Sequence, residues 1–446
     1  MGIDLLYIGL MVVWIIVGTS YLRWHPFFVL LISAFALAFL LGIPTLEIPG
    51  VISVGFGKMF QSIGLLILFG AWIGVSLEAT QATTTIAKGI LKKLTLLPLP
   101  FVVGALGYLV SIPVFCDAAF VILAPLSRKL SLGNISKRNA LTVALSTGLF
   151  SAHVLVPPTP GPLAAASNLE LDNLYLLLLA GGLFALVLML IGSGYAYFLA
   201  RRSDTDRAED LAQLQAYVQE EEDLPAFGMA IGPLALPIVL MALAAVFPLF
   251  FPAMEDTFLR GLIGFAGDPT IALLLGTLLA FRLVWLRKEQ VQLVIEKGIQ
   301  QAAPILLITA MGGALGTVIQ YANLTEGIDL AYFKDSWGLA IPFVLAAILK
   351  SAQGSSTVAI ITVSSIMLPL LPALGLDSET GKVWVILAIG AGAVTVSHAN
   401  DSYFWIVSQL GEMSVKQAYR NHTFATLLQG VLGFALLWVA FVIVSS

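Results

Sequence analysis

The chain has 446 residues, of which 59% are hydrophobic and 11% charged, with a mean hydropathy of +0.97 and a formal net charge of -4. A soluble domain carries roughly 25% charged residues, so the solvent for this chain is lipid, and the small net charge gives no reason to expect a nucleic-acid partner. The single Cys116 excludes an intramolecular disulfide and leaves the compartment open.

In chain order, the first stretch, MGIDLLYIGLMVVWIIVG, lacks a basic leader and a small-residue cleavage site, and Leu6 stands where a myristoylation motif requires Ser or Thr. It reads as a retained first helix. Uncharged runs follow at Leu94 to Cys116, Asn139 to Leu169, Asn173 to Ala200, Leu224 to Met254 and Thr423 to Ser446, each longer than the roughly 20 residues a membrane helix needs. The fold class is an all-α polytopic membrane protein. One hydrophilic interruption, Arg201 to Asp223, has the charge density of a solvated connector.

Across that connector the chain resembles itself. Gly70 and Gly74 match Gly312 and Gly316, Pro125 matches Pro369, and His153 matches His398, all about 240 residues apart. The paired glycines read as small-residue packing surfaces. Short basic loops mark the cytoplasmic side; placing Arg23, Lys88 to Lys93, Arg128 to Arg138, Arg201 and Arg202, Arg287 to Lys297, and Lys416 with Arg420 there makes the two copies inverted. Each copy then has about five crossings and one re-entrant hairpin. The expected boundaries are a first repeat over 1–200 (hairpin about 94–127, broken helix about 139–165), a cytoplasmic connector over 201–225, and a second repeat over 226–446 (hairpin about 337–371, broken helix about 383–405). Met1 and Ser446 fall outside the cell in this scheme.

Polar chemistry at membrane depth concentrates in four segments. The first hairpin tip holds Ser111 and Asp117, the latter the only formal charge between Lys93 and Arg128. An intramembrane carboxylate is costly and marks function or a helix cap. The second tip holds Lys350, then Gly354, Ser355, Ser356 and Thr357, a tight turn followed by hydroxyls and amides at a helix start, which has the form of an anion cradle. The alternative reading of these hydroxyls is bonding back to their own helix. The first broken helix carries Ser151, His153, Thr159 and Gly161 within SAHVLVPPTPGP, and the second carries Ser397, His398, Asn400, Asp401 and Ser402. Irregular backbone at this depth is tolerated only where protein shields it or a wet cavity needs it. Inverted repeats with interrupted helices are a mark of secondary transporters.

Three stretches carry a family resemblance: FCDAAFVILAPL (Phe115 to Leu126), SAHVLVPPTPGP (Ser151 to Pro162), and GSSTVAIIT (Gly354 to Thr362) with SHANDSYFW (Ser397 to Trp405). On these the chain resembles the gluconate permease family, gluconate:proton symporters of the ion transporter superfamily that include D-serine transporters. The resemblance implies import of a small organic anion, a gluconate- or glycerate-type hydroxy acid or sugar acid, by proton symport with an elevator-like movement, in a bacterial inner membrane and as a homodimer. Sodium coupling or a D-serine-type substrate is the alternative. Substrate contacts are expected from Ser111, Asp117, Ser151, His153, Thr159, Gly354, Ser355, Ser356, Thr357, Ser397, His398 and Asn400, and proton coupling from Asp117, His153, His398 and Asp401. No cofactor and no metal ligand set is expected. Gluconate members commonly have Glu at the position of Asp117, His at that of Thr159 and Arg at that of Lys350, so the identity of the acid stays open. No Gly-x-Gly-Asp, His-Glu-x-x-His or Gly-x-Ser-x-Gly motif supports an intramembrane hydrolase.

Overall fold

In the computed structural model the described residues are 7, 9–11, 13–15, 17–93, 97–112, 115–131, 134–201, 212, 215, 217–218, 223–250, 257–320, 338–399 and 401–445. Among them there are helices and no strands. Eight of these helices are long and apolar enough to cross a membrane.

Chain order gives α1 (Pro26–Leu40), α2 (Ile48–Ala79), α3 (Ala82–Lys93), α4 (Leu99–Ser111), α5 (Cys116–Lys129), α6 (Ile135–Leu155), α7 (Pro160–Asn168) and α8 (Leu174–Ala200). Beyond the connector come α9 (Phe227–Phe250), α10 (Phe258–Gly267), α11 (Pro269–Leu286), α12 (Val291–Gln320), α13 (Ala340–Gln353), α14 (Ser356–Met367), α15 (Glu379–Val394), α16 (Ser402–Leu410) and α17 (Phe424–Ser445). The longest two, α2 and α12, pack along each other, with α11 against α2 and α1 against α12. A second group joins α4, α6 and α8 to α13, α15 and α17 through contacts of α8 with α17 and of α6 with α15. The short segments cross over: α14 packs on α7, and α5 on α16. Reciprocal packing of this kind joins each interrupted helix, α6–α7 and α15–α16, to a short helix from the other half of the chain.

Local chemistry explains the interruptions. α6 stops at Leu155 because Val156 is extended and Pro157 and Pro158, joined by a cis peptide bond, follow; α7 restarts with Pro160 in its first turn, where the missing N–H costs nothing. α13 ends at Gly354, which adopts φ +73° and donates its N–H to the Lys350 carbonyl at 2.8 Å. Only glycine takes that left-handed conformation without a Cβ clash. The side chain of Ser355 then accepts the N–H of Val358 at 3.3 Å and starts α14. Where α4 crosses α6, a Cβ on Gly148 would strike the Gly104 carbonyl, so small residues let the two backbones meet. A Cβ on Gly312 would strike the Ile361 side chain of α14, while Gly316 and Gly70 face Ser365 and Pro158 at ordinary contact distance.

Ion pairs collect at two ends of the bundle. One end joins Arg287 to Asp223 (3.0 Å), and Arg128 (3.4 Å) and Arg138 to Glu412. Tyr217 of the connector lies 5.5 Å under both Lys88 and Lys129 there. The other end joins Lys58 to Glu170 at 2.6 Å and Lys382 to Glu379 at 3.1 Å.

Candidate functional site

A cavity of about 360 Å³ lies between the starts of α5 and α14, the end of α6 and the wall of α12. The start of α5 contributes Phe115, Cys116 and Asp117; the end of α6 contributes His153; the start of α14 contributes Ser355, Thr357, Val358 and Ile361. The α12 wall supplies Gln301, Pro304, Ile305 and Ile308. Asp117 sits in the first turn of α5, where a carboxylate is favoured by the amide dipoles. The Cys116 thiol approaches its Oδ1 at 3.7 Å, and among the described residues no cation lies within ion-pair distance. His153 is buried, edge-on to Phe115 at 6.3 Å, and its Nδ1 has no hydrogen-bond partner among the described residues. Across the cavity α14 begins at Ser355, whose hydroxyl caps the Val358 N–H, and Ser355 and Thr357 line the same space. A carboxyl group on one wall and a helix start on the other make a polarised chamber. Its size is that of a small-molecule site.

A second polar cluster lies beside the cavity, at the interruption between α15 and α16. Lys350 is fully buried on α13 and its Nζ donates to Asp401 Oδ2 at 2.6 Å; Asp401 itself is almost wholly buried. Ser397 Oγ donates to the same Oδ2 at 2.6 Å, while Oδ1 caps α16 by accepting the N–H of Tyr403 at 3.0 Å. The Lys350 ammonium also reaches the Val396 carbonyl at 3.4 Å and lies over the Phe150 ring at 5.7 Å from its centre. Next to it, Ser351 Oγ and His398 Nε2 are 2.9 Å apart.

Comparison with known proteins gives this geometry a family. The sequence profile of the GntP family permeases matches residues 3–443, nearly the whole chain. The chain belongs to that family. An uncharacterized permease of Haemophilus influenzae is 32% identical over 92% of this chain and 86% of its own length. A gluconate permease of Pseudomonas aeruginosa is 27% identical over 95% and 94%, and the D-serine transporter DsdX of Escherichia coli 26% over 93% and 92%. Among solved structures, Neisseria gonorrhoeae MtrF, described as illuminating a class of antimetabolite efflux pumps, aligns with a TM-score of 0.59 at 15% identity over 88% of this chain and 84% of its own. The Alcanivorax borkumensis YdaH transporter, reported for an unusual topology, gives 0.56 at 16% identity, covering 89% of each. The protein is a helical membrane permease and not an enzyme.

Of the GntP permease residues expected to touch substrate, the cavity gathers Asp117, His153, Ser355 and Thr357. Gly354 and Ser356 flank them at the turn and inside the first turn of α14. Ser111 is buried in the last turn of α4, away from the lining. The hydroxyls of Ser151 and Thr159 bond to their own backbone, at Gly148 O (2.8 Å) and Val156 O (2.5 Å), which is the alternative recognised for small hydroxyl residues in membrane helices. Ser397, His398 and Asp401 belong to the second cluster, and Asn400 lies outside the described residues.

The α12 wall was not anticipated. Its signal is a Gln300, Gln301 pair followed by Pro304 within an otherwise apolar helix. A further buried network was also missed: His422 Nδ1 lies 3.1 Å from Ser146 Oγ, and the Ser146 carbonyl accepts the Tyr403 hydroxyl at 2.9 Å. His422 sits in a π-helical insertion, Tyr419–Thr423, a local feature that no periodicity in the sequence reveals.

Proposed function

We propose that this permease imports a small hydroxy-carboxylate or sugar acid of the gluconate or glycerate type by symport with a proton, the connector lying on the cytoplasmic side and the membrane being a bacterial inner membrane. The observation that carries the reading is the polarised cavity: Asp117 on one hairpin tip, and the start of α14 with Ser355 and Thr357 on the other. A substrate carboxylate is held by the leading amides and hydroxyls of α14, and its hydroxyls turn toward Asp117, His153 and Gln301. Bringing an anion beside an ionised Asp117 sets two like charges in a poorly solvated space, and a proton on Asp117 removes that repulsion. Substrate and proton then cross together, and a monovalent anion moves without net charge.

The reciprocal packing of the two halves supports reading them as inverted copies, with the hairpins and broken helices shifting as a body against α2 and α12. An Asp117 without a cationic neighbour also favours a second reading, a zwitterion such as a D-amino acid whose ammonium meets the carboxylate. A thermal-shift screen of gluconate, glycerate and D-serine separates the two, because a ligand that binds only the folded state raises its melting temperature. Uptake into proteoliposomes under a pH step or a sodium gradient then identifies the ion. Stabilisation by a hydroxy acid and acceleration by an inward proton gradient are expected; stabilisation by none of the three, or drive by sodium alone, contradicts the proposal.

A further inference from the structure

We propose that Lys350 is a positioning cation and not a substrate ligand: with Asp401 it forms a permanent internal charge pair that staples the unwound α15–α16 segment to hairpin helix α13 and leaves Asp117 as the uncompensated charge of the cavity.

Three observations carry this. The ammonium already has partners within the protein: the Asp401 carboxylate at 2.6 Å, the Val396 carbonyl at 3.4 Å and, 5.7 Å from its centre, the Phe150 ring. The side chain has no exposed surface, and it does not line the cavity. A cation so enclosed cannot reach a substrate carboxylate without abandoning a buried partner, and breaking a buried pair is far more costly than the pair is worth relative to apolar residues.

The anchored segment is itself conformationally constrained. Val396 adopts φ +58°, a conformation that is an outlier for a β-branched residue and persists only where the surroundings impose it. Lys350 grips both ends of this segment, the Val396 carbonyl and the Asp401 carboxylate, and Ser351 one residue later meets His398. Gly354 and Ser355 lie within the next turn of the same hairpin. The ammonium therefore fixes the interruption relative to the cradle that is to hold the anion.

Asp401 is within electrostatic reach of Asp117, His153 and His422, so an unpaired Asp401 would add a second negative field to the chamber. Paired to Lys350 it contributes a dipole. The positioning role rests on reading the cavity as the transport site, but the charge pair can be tested without any transport.

Thiol chemistry reads the field directly. The chain has one cysteine, so Thr357→Cys on a Cys116→Ala background puts a single thiol on the cavity wall. Its modification rates are measured in purified protein with a cationic trimethylammonium-ethyl and an anionic sulfonatoethyl methanethiosulfonate. Lys350→Met should raise the cation-to-anion rate ratio by about threefold or more, Asp401→Asn should lower it by a similar factor, and the double variant should return to within about twofold. Asparagine keeps a capping acceptor for Tyr403, so Asp401→Asn loses the charge and not the cap, and its comparison with the double variant, which leaves no buried charge unpaired, decides the matter alone. A purely structural role moves both reagents in the same direction. Equal changes with both reagents, or a double variant as unbalanced as Asp401→Asn, overturns the assignment.

Discussion

The two broken helices interrupt the membrane core by different means. Between α6 and α7 the break is written into the covalent chain: Pro157, Pro158, Pro160 and Pro162 exclude helical hydrogen bonds, and the local hydroxyls of Ser151 and Thr159 return to their own backbone. Between α15 and α16 there is no proline, and the break is held by side chains, through Lys350, Ser397 and Asp401, with Thr423 Oγ1 donating to the Ser397 carbonyl at 2.6 Å. A proline break is insensitive to charge. A break clamped by a buried ion pair depends on both charges being present, so the two halves should respond very differently to single substitutions.

The largest expected effect is at the clamp. Asp401→Ala removes the partner of a buried ammonium and the cap of α16 together, and should destabilise the protein by about 3–5 kcal/mol, read as a large drop in melting temperature in detergent. A near-wild-type melting curve would remove the contrast between the two breaks. Gly354→Ala forces an alanine into left-handed backbone and should cost about 1–2 kcal/mol, visible in the same assay. Ser355→Ala loses a helix cap, about 1 kcal/mol, and should also weaken substrate affinity several-fold; unchanged affinity would displace the cradle from this tip. The smallest effect belongs to the proline break. Thr159→Ala loses only a bond to Val156 in its own turn and should stay within about 0.5 kcal/mol of the parent protein; a larger cost would mean that this hydroxyl has a role beyond its local turn.

Much of this was visible in the sequence because membrane helices advertise themselves by length and apolarity, and prolines and an isolated glycine advertise where helices stop. Asp117 stood out as a lone charge in an apolar run, and the structure places it in the cavity opposite Ser355 and Thr357. What the sequence hid is partnership. Nothing local distinguishes Ser151, whose hydroxyl turns back on Gly148, from Ser355, which lines the cavity. Lys350 and Asp401 are 51 positions apart, and only the packing of α13 against α15 brings them together. Gln301 escaped notice because a glutamine in a long helix looks the same whether it faces a cavity or a neighbouring helix, and His422 because its meaning depends on Ser146, from the other half of the chain.

The central claim is that Asp117 carries the coupling proton opposite the anion cradle. Asp117→Asn mimics the protonated carboxyl in shape and charge, so it separates binding from coupling. Counterflow exchange and pH-gradient-driven uptake are measured on the same proteoliposomes, with whichever acid stabilises the protein in the thermal-shift screen. The account predicts that Asp117→Asn still exchanges substrate while its uptake is no longer accelerated by an inward proton gradient. An Asp117→Asn protein that accumulates substrate against its gradient would contradict it and transfer the coupling role to the histidines.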